Sequence, residues 1–313
     1  RGLGDVYKRQ DTSTKAIGAE LAKARESHSL TTGRVLTLLV AIDDSGADSI
    51  DDTLETLRDA SFEHPARVLV LISGDAGAAT RLDAQVLVAS DAGASEVVVM
   101  RLYGELTGHL GAIVTPLLLP DTPVVVCWPQ KAPERPADTQ LGRIAQRRIT
   151  NLRRDGNGMT LQRLTAGYVD GDSDVMWSRI TPWRGIVASA LDRHPGKRIL
   201  SAEIAGAAGD PSVDVAAGWL ASSLNVQVTR HQADPAGSFP ITRLALRCED
   251  GDVEVAVQNS HTVCISTPGH ADSLVAMGER SDAESLAEDL RHLGPDATYE
   301  RALRGLSGVD HEL

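Results

Sequence analysis

Apolar residues along the first part of the chain form short runs separated by helix-spaced or turn-forming segments. Residues 35–42 and 68–72 are continuous apolar runs, a pattern typical of strands buried on both faces of a sheet. Between them the spacing predicts a helix that is capped by Ser49 and ends near Phe62. Residues 35–72 therefore predict one β-α-β unit, which the handedness rule makes right-handed.

The pattern continues to about residue 157, where Asp155-Gly156-Asn157-Gly158 marks a stop. Apolar runs predict further strands at residues 82–89, 96–102 and 124–127. Helical spacing or helix-compatible composition predicts helices at residues 12–26, 104–119 and 140–154. Closely spaced prolines predict that the loop after Trp128 is stiff and non-helical.

The second half of the chain has a different hydrophobic pattern, with several consecutive strand-like runs, and predicts an antiparallel sheet. Helices are expected at residues 175–191, 213–224 and 281–293, the first with a break or a first turn at Pro182 and the second behind a cap at Asp210. Strand-like runs occupy residues 198–204, 225–231, 241–248, 253–258 and 262–267, with a hairpin signal at Asp250-Gly251. The fold class predicted is α/β: an N-terminal α/β sandwich-like domain with a mixed sheet (residues 11–157), followed by a smaller α+β domain with an antiparallel meander (residues 158–313).

The first ten residues, RGLGDVYKRQ, lack an initiator methionine and show no periodicity. We expect residues 1–10 to be a non-native or disordered end without a function.

Composition narrows the functional classes. The chain has 313 residues and a formal net charge of −12, which argues against sequence-independent nucleic-acid binding because such binding needs a basic face. No apolar run reaches the length of about 20 residues needed to cross a membrane, and the start lacks a signal-peptide core. Three cysteines without CxxC spacing are expected to be reduced, with Cys264 facing away from the core, as in a cytoplasmic protein.

Catalytic, cofactor and metal signatures are missing from the sequence. A dinucleotide site needs a glycine-rich turn after the first strand, so that backbone N–H groups approach the pyrophosphate. Here the junction at residues 43–48 reads DDSGAD, and its three carboxylates would repel phosphate. The histidines have no zinc-ligand spacing. We expect neither an enzyme nor a bound cofactor or metal.

A basic segment stands out in this acidic chain. Five arginines fall within twelve residues that contain no carboxylate, and on a helix some of them would align: Arg143, Arg147, Arg148, Arg153 and Arg154. Arginine suits bidentate contact with carboxylates or phosphates. Two interpretations stay open: the arginines pair internally with acids such as Asp155, or they bind an acidic partner surface or a sugar phosphate.

Trp128 is the second candidate contact residue. It follows a predicted strand and precedes Pro129, at the carboxyl end of a strand, where α/β sheets usually meet their ligands. Tryptophan is also a frequent anchor of protein interfaces. Core packing and a partner contact are both compatible with this position.

Several spaced motifs together carry a resemblance to a known family. They are GRVLT at residues 33–37, RLDAQ at 81–85, AGASEVV at 92–98, PLLLPDTPVVV at 116–126, RRIT at 147–150 and WSRITPWR at 177–184. In this order they resemble the glucose-6-phosphate dehydrogenase assembly protein family (OpcA) over nearly the whole chain from residue 12. Cys127-Trp128-Pro129-Gln130 and Asn151 depart from the family pattern, which often has Trp-Trp-Pro-Gly and Asp there.

The resemblance implies a cytoplasmic protein with no chemistry of its own. It implies that the chain binds glucose-6-phosphate dehydrogenase and promotes its active oligomer at the entry to the oxidative pentose phosphate pathway. Trp128 and the arginines at positions 143, 147, 148, 153 and 154 are the expected contact residues. The alternative is a sugar-phosphate-binding protein or enzyme that uses the same arginines as an anion site.

Overall fold

The computed structural model describes residues 4–28, 35–44, 47–88, 96–155, 158–196, 198–235 and 237–312. Contacts divide the chain into two compact units. The first unit comprises Arg1–Val175 and Asp282–Pro295, and the second comprises Met176–Ser281 and Asp296–Leu313. The boundary expected at residue 157 lies inside the first unit, and the return of residues 282–295 to that unit was not foreseen.

The strands and helices have the following bounds. In chain order the strands are β1 (Gly4–Arg9), β2 (Leu36–Asp43), β3 (Ala66–Ser73), β4 (Arg81–Val88), β5 (Glu96–Tyr103), β6 (Val124–Trp128), β7 (Arg147–Thr150), β8 (Asp172–Asp174), β9 (Ile199–Gly206), β10 (Gln227–Gln232), β11 (Ile241–Cys248), β12 (Val253–Asn259), β13 (Thr262–Ser266), β14 (Ser273–Ala276) and β15 (Val309–Glu312). The helices are α1 (Thr14–His28), α2 (Ala47–Glu63), α3 (Leu110–Val114), α4 (Gln140–Ile144), α5 (Leu161–Ala166), α6 (Val175–Arg179), α7 (Thr181–Asp192), α8 (Pro211–Leu224), α9 (Asp282–Arg291) and α10 (Ala297–Gly305).

The sheet of the first unit is mixed, as the sequence predicts. Its strand order is β1-β4-β5-β3-β2-β6-β7-β8, and β5-β3-β2-β6-β7-β8 run parallel while β4 is antiparallel to β1 and β5. The predicted β-α-β unit is confirmed as β2-α2-β3. Because the chain leaves β2 toward β3 on one side and later adds β6 on the other, the strand order reverses between β2 and β6.

Both faces of this sheet are covered by apolar helix residues. One core cluster joins Ile17 and Leu21 of α1 to alternating strand residues such as Leu39 and Leu69. The opposite cluster joins Leu57 of α2 and residues of α9 to the other set of strand side chains. The continuous apolar runs of β2 and β3 follow from this burial on two faces.

Two predicted helices in the first unit differ from the structure. Ser49 lies inside α2 rather than capping it, because the helix already begins at Ala47. Residues 104–119 form two 3₁₀ turns around the short α3 instead of one helix. Gly104 adopts a φ of +62° and packs so closely that a Cβ would lie 2.7 Å from the Ala78 carbonyl oxygen, so the chain cannot continue from β5 directly into a regular helix.

The start of the chain is also more ordered than expected. Residues 4–9 form β1, which pairs antiparallel with β4 at one edge of the sheet. The expectation of a disordered end is wrong for these six residues.

The second unit contains the predicted antiparallel meander within a larger mixed sheet. The order is β14-β13-β12-β11-β9-β10-β15, with antiparallel pairing from β14 to β9 and parallel pairing of β9, β10 and β15. The sequence did not predict β14, α10 or β15. The predicted break before Pro182 is confirmed at Ile180, between α6 and α7, and Asp210 caps α8 by accepting from the Ser212 N–H.

None of the helices in the described ranges is long and apolar enough to cross a membrane.

Candidate functional site

The five arginines do not share a helix. Helix α4 ends at Ile144, the chain then enters β7 at Arg147, and a 3₁₀ turn follows at Leu152–Arg154. The predicted helix over residues 140–154 is therefore wrong after its first turn and a half. Strand geometry sends Arg147 and Arg148 to opposite faces of the sheet, and each meets a carboxylate that compensates for its burial.

Arg147 belongs to a buried polar cluster. Its side chain is only 4% exposed, and its Nη2 donates to Asp289 Oδ1 of α9 at 2.6 Å. Its Nη1 donates to the Gly294 carbonyl at 3.1 Å, and Ser173 of β8 donates to the same Asp289 oxygen at 2.7 Å. Arg147 thus attaches the segment 282–295 to the sheet, and it is not available to a partner.

Arg148 has the same role on the opposite face. Its Nε donates to Asp172 Oδ1, and its Nη1 donates to the Ala145 carbonyl at 3.0 Å. Burial raises the pKa of Asp172 above its ordinary value, while the hydrogen bond from Arg148 acts in the opposite direction. The internal-pairing interpretation is the one that describes Arg147 and Arg148.

The remaining arginines are exposed to a greater extent. Arg154 Nε lies 2.7 Å from Asp282 Oδ2, and Arg153 Nη1 lies 3.6 Å from Asp282 Oδ1. Both arginines thus lie against Asp282 of α9, and Asp155 accepts from the backbone N–H groups of residues 132 and 159. Arg143, in the last turn of α4, is exposed and has no ion-pair partner among the described residues. These three arginines stay candidates for a partner contact.

Trp128 is a core residue rather than a protruding anchor. It ends β6 with 7% exposure. Its side chain belongs to the same core cluster as Leu141 of α4 and Ala145, the residue directly after that helix. Of the two interpretations left open by the sequence, packing describes its position. Trp177 and Trp183 of the second unit are also buried, at 2% and 0% exposure.

The carboxyl ends of the parallel strands, where α/β sheets usually bind ligands, are occupied by the chain's own groups. Asp43 at the end of β2 forms an ion pair with Lys131 of the loop after β6, and Asp44 lies 3.3 Å from Arg101. Asp174 at the end of β8 accepts from the Thr150 hydroxyl at 2.6 Å. These contacts pair Lys131 and Arg101 with carboxylates of the chain itself.

A groove lies beside the ends of β6 and β7, and its residues all belong to the first unit. We call it the α2–α9 groove; its walls and floor include Thr53, Thr56 and Leu57 of α2, Asp282 and Leu286 of α9, and Cys127, Gln130, Asn151 and Arg154 near the ends of β6 and β7. Its volume is about 450 Å³ with the open mouth included, but the space that admits water is about 30 Å³. That space holds a few water molecules at most, whereas metabolite pockets usually measure at least about 300 Å³.

Asn151, which directly follows β7, is the unusual polar residue of this groove. It is 5% exposed, and its Oδ1 has no hydrogen-bond partner among the described residues. Most buried polar atoms are paired, because an unpaired one costs about 1–3 kcal/mol. The sequence marked Asn151 only as a departure from a family pattern; the sole local signal was an amide side chain placed after a buried strand.

Three carboxylates act on the Cys127 thiol at the floor of the groove. Burial is the main reason that the pKa of the Cys127 thiol lies well above its ordinary value, and the carboxylates of Asp289, Asp174 and Asp282 raise it further. Cys127 is therefore protonated and inert.

Cys127, Cys248 and Cys264 are all free thiols, and Cys264 lies on the opposite side of β13 from the buried Val263 and Ile265, as predicted.

Metal binding has no support in the described ranges of the chain, where no group of three or more histidine, cysteine or carboxylate side chains is placed to hold an ion.

Comparison with protein-family models matched two adjacent domains. Residues 57–166 match the model described as the glucose-6-phosphate dehydrogenase subunit N-terminal domain, and residues 170–303 match that of its C-terminal domain. Together the two models account for most of the chain. Comparison with curated protein sequences gave no match.

Solved structures that are similar to this chain share little sequence with it. An NAD-binding oxidoreductase from Klebsiella pneumoniae is 9% identical, with 87% of this chain and 96% of that chain covered and a TM-score of 0.41. A biliverdin reductase from Synechocystis sp. PCC 6803 is 10% identical, with 88% and 97% covered and a TM-score of 0.42. A dehydrogenase from Chromobacterium violaceum is 12% identical, with 87% and 94% covered and a TM-score of 0.42.

Proposed function

This chain belongs to the glucose-6-phosphate dehydrogenase assembly family (OpcA), and from this premise we propose that it binds glucose-6-phosphate dehydrogenase and promotes its active oligomer without catalysing a reaction itself. In this proposal it acts in the cytoplasm, at the entry to the oxidative pentose phosphate pathway, as an allosteric activator. Its partner is the dehydrogenase, and it needs no cofactor.

The occupied strand ends are the observation that supports a non-catalytic role best. In an α/β sheet the crevice where the strand order reverses is the usual ligand site, and here that point lies between β2 and β6. The Asp43–Lys131 ion pair joins the ends of these two strands. A dinucleotide would have to break this pair and approach the carboxylates of Asp43 and Asp44 with its own negative charge.

The alternative function, sugar-phosphate binding through an arginine site, loses its main support. It needs several free guanidinium groups close together, but Arg147 and Arg148 point to opposite faces and each is paired with a buried carboxylate. The net charge of −12 also opposes binding of nucleic acid. These observations support association with a protein rather than with a sugar phosphate or nucleic acid.

The experiment that tests the proposal is a titration of dehydrogenase activity against glucose 6-phosphate, with the same organism's dehydrogenase alone and with this protein added. We expect a lower half-saturation concentration or a higher maximal rate, because an activator that binds the active form shifts the enzyme toward it. Serum albumin at equal concentration is the control for non-specific stabilisation. Superimposable curves, together with no co-elution on size exclusion, would reject the proposal.

A further inference from the structure

One face of the second unit's sheet is covered by helices, and the other is partly exposed to solvent. On the covered face, side chains such as Ile204, Val255 and Val263 are completely buried. Helix α8 packs there, and its Asp214 pairs with Arg230 of β10 at 3.1 Å. The alternate side chains of the same strands point the other way. We call the face that they form the outer face.

The strand register defines the composition of the outer face. One row of side chains runs straight across six strands: Leu274, Cys264, Ala256, Arg243, Ala205 and His231. The half that belongs to β12, β13 and β14 is dominated by small side chains, and it is therefore flat. Leu274, on the edge strand β14, is 72% exposed, so this half also presents an apolar side chain to solvent.

Charges at the centre of the outer face are balanced. Arg243 of β11 pairs with Glu254 of β12, and Arg247 of β11 lies 3.3 Å from Glu203 of β9. The whole chain has a net charge of −12, so a neutral region of this size stands out on its surface. Another protein can approach this region without the repulsion or attraction that a single sign of charge would produce.

The two edges of the outer face differ, and this difference disfavours a second copy of the chain as the occupant. Asp310 and Glu312 of β15 are exposed at one edge, whereas Leu274 lies at the other. A two-fold dimer of aligned sheets brings each edge against either its own copy or the opposite edge. The carboxylates would then meet either the same carboxylates or an apolar side chain, and both contacts are unfavourable.

The outer face is large enough for a specific complex. The sheet has seven strands. At a spacing of about 4.8 Å and a length of about six residues, such a sheet spans roughly 34 Å by 20 Å, or roughly 700 Å². A standard protein interface buries about 800 Å² of each partner, so this face and its rim suffice.

We propose that the outer face of the second sheet is the docking surface for glucose-6-phosphate dehydrogenase. It receives a flat surface of that enzyme with small or apolar side chains opposite β12, β13 and β14 and basic side chains opposite the edge at β15. This inference rests on the proposed function, which supplies the partner. The isolated chain keeps the outer face open, so these contacts form only in the complex.

Cys264 reports on the outer face without any substitution, because it is partly exposed and lies in the row described above. The full chain is labelled with iodoacetamide, alone and with saturating dehydrogenase, and each site is followed by mass spectrometry. We expect the dehydrogenase to slow labelling of Cys264 roughly five-fold or more, since a covered thiol reacts only when the complex opens. Serum albumin should leave the rate unchanged. An unchanged rate in a sample whose complex has formed on size exclusion would overturn the docking surface.

A charge-neutral pair of variants tests the same face by affinity, measured with biolayer interferometry. Ala256→Glu/Ser266→Lys places two large side chains on the flat half, and each new charge faces an opposite charge on the neighbouring strand. Ala188→Glu/Ser189→Lys makes the same exchange at exposed positions of α7. We expect roughly ten-fold or greater loss of affinity for the first variant and roughly two-fold or less for the second, because only the first prevents close packing. Equal affinities of the two variants would overturn the docking surface.

The acidic edge is tested by the rate of association in the same instrument. Asp310→Asn/Glu312→Gln removes both carboxylates and should slow association roughly three-fold at low salt, since charges at the rim of an interface steer the encounter. The difference from the wild type should shrink as salt is added. An association rate equal to that of the wild type would show that the enzyme's surface opposite this edge is not basic, which contradicts the proposal.

The wild-type protein distinguishes failure of the inference from failure of the proposed function. If the wild type binds and activates the dehydrogenase while the outer-face variants behave like it and Cys264 stays reactive, the docking surface is overturned and the proposed function stands. If the wild type neither binds nor changes the activity curve, both are overturned. A dimer of the isolated chain that Ala256→Glu/Ser266→Lys dissociates would assign the outer face to a second copy and overturn the inference.

Discussion

Two strands of this protein, β7 in the first unit's sheet and β11 in the second unit's sheet, hold charged residues in opposite ways. In the first unit, Arg147 and Arg148 on β7 are 4% and 7% exposed, and each has a buried carboxylate partner. In the second unit, Arg243 and Arg247 on β11 are 43% and 40% exposed and pair across strands with Glu254 and Glu203. The neighbouring apolar side chains of β11 point the other way and are fully buried.

The difference between β7 and β11 separates charged side chains that hold the fold together from charged side chains that lie in solvent. A strand covered on both faces leaves no solvated side for a polar residue, so each charge on it must find a partner inside. A sheet with one partly exposed face places charges there at little cost, since water and flexible neighbours screen them. Arg147 and Arg148, two of the five arginines that the sequence offered as a binding surface, therefore stabilise the first unit.

Arg147→Ala should have the largest effect on stability of the changes that probe this comparison. It leaves Asp289 as a buried carboxylate without its cation, which costs about 3–5 kcal/mol of unfolding free energy. Urea denaturation of the wild type and the variant measures it. The double variant Arg147→Met/Asp289→Leu should recover most of the loss, because removing both charges also removes the burial penalty; a double variant as unstable as the single one would contradict this account.

Cysteine reactivity should differ between the two sheets by roughly ten-fold or more, since a buried thiol reacts only when the structure opens. Cys127 is 2% exposed and its raised pKa keeps the thiol protonated, whereas Cys264 lies partly exposed on β13. Mass spectrometry after timed iodoacetamide labelling measures both sites in one sample. Faster labelling of Cys127 would show that the first sheet is less well covered than described.

Arg243→Ala should have the smallest effect. Its pair with Glu254 is partly exposed, and such pairs contribute about 0–1 kcal/mol, which added salt reduces further. The same urea measurement, repeated at high salt, checks it. A loss as large as that of Arg147→Ala would mean that this face of the second sheet is covered in the working form of the protein.

The hydrophobic pattern of the sequence predicted the strands whose burial is regular, either continuous or alternating. The runs that became β2 and β3 are apolar throughout because both faces are covered, and the meander β11-β12-β13 alternates because one face is partly exposed. Cap and proline chemistry also placed the start of α8 and the break at Ile180 correctly. Local signals sufficed in these cases.

Tertiary partners decided the elements that the sequence misassigned. RRIT at β7 carries two arginines that are buried only because Asp172 and Asp289, the latter more than a hundred residues later, pair with them. The same contact explains why α9 joins the first unit. Asn151 could not be singled out from the sequence. Its distinguishing property is a buried Oδ1 without a hydrogen-bond partner among the described residues, and burial and pairing are known only once the chain is folded.

Titration calorimetry of the isolated protein tests the central claim, that this chain acts through a protein partner and not through a ligand of its own. The same organism's glucose-6-phosphate dehydrogenase, glucose 6-phosphate and a nicotinamide dinucleotide are each titrated into the wild-type chain. The account predicts saturable heat with the dehydrogenase and none with either small molecule at millimolar concentration. Saturable binding of a small molecule, with no heat from the dehydrogenase, would contradict it.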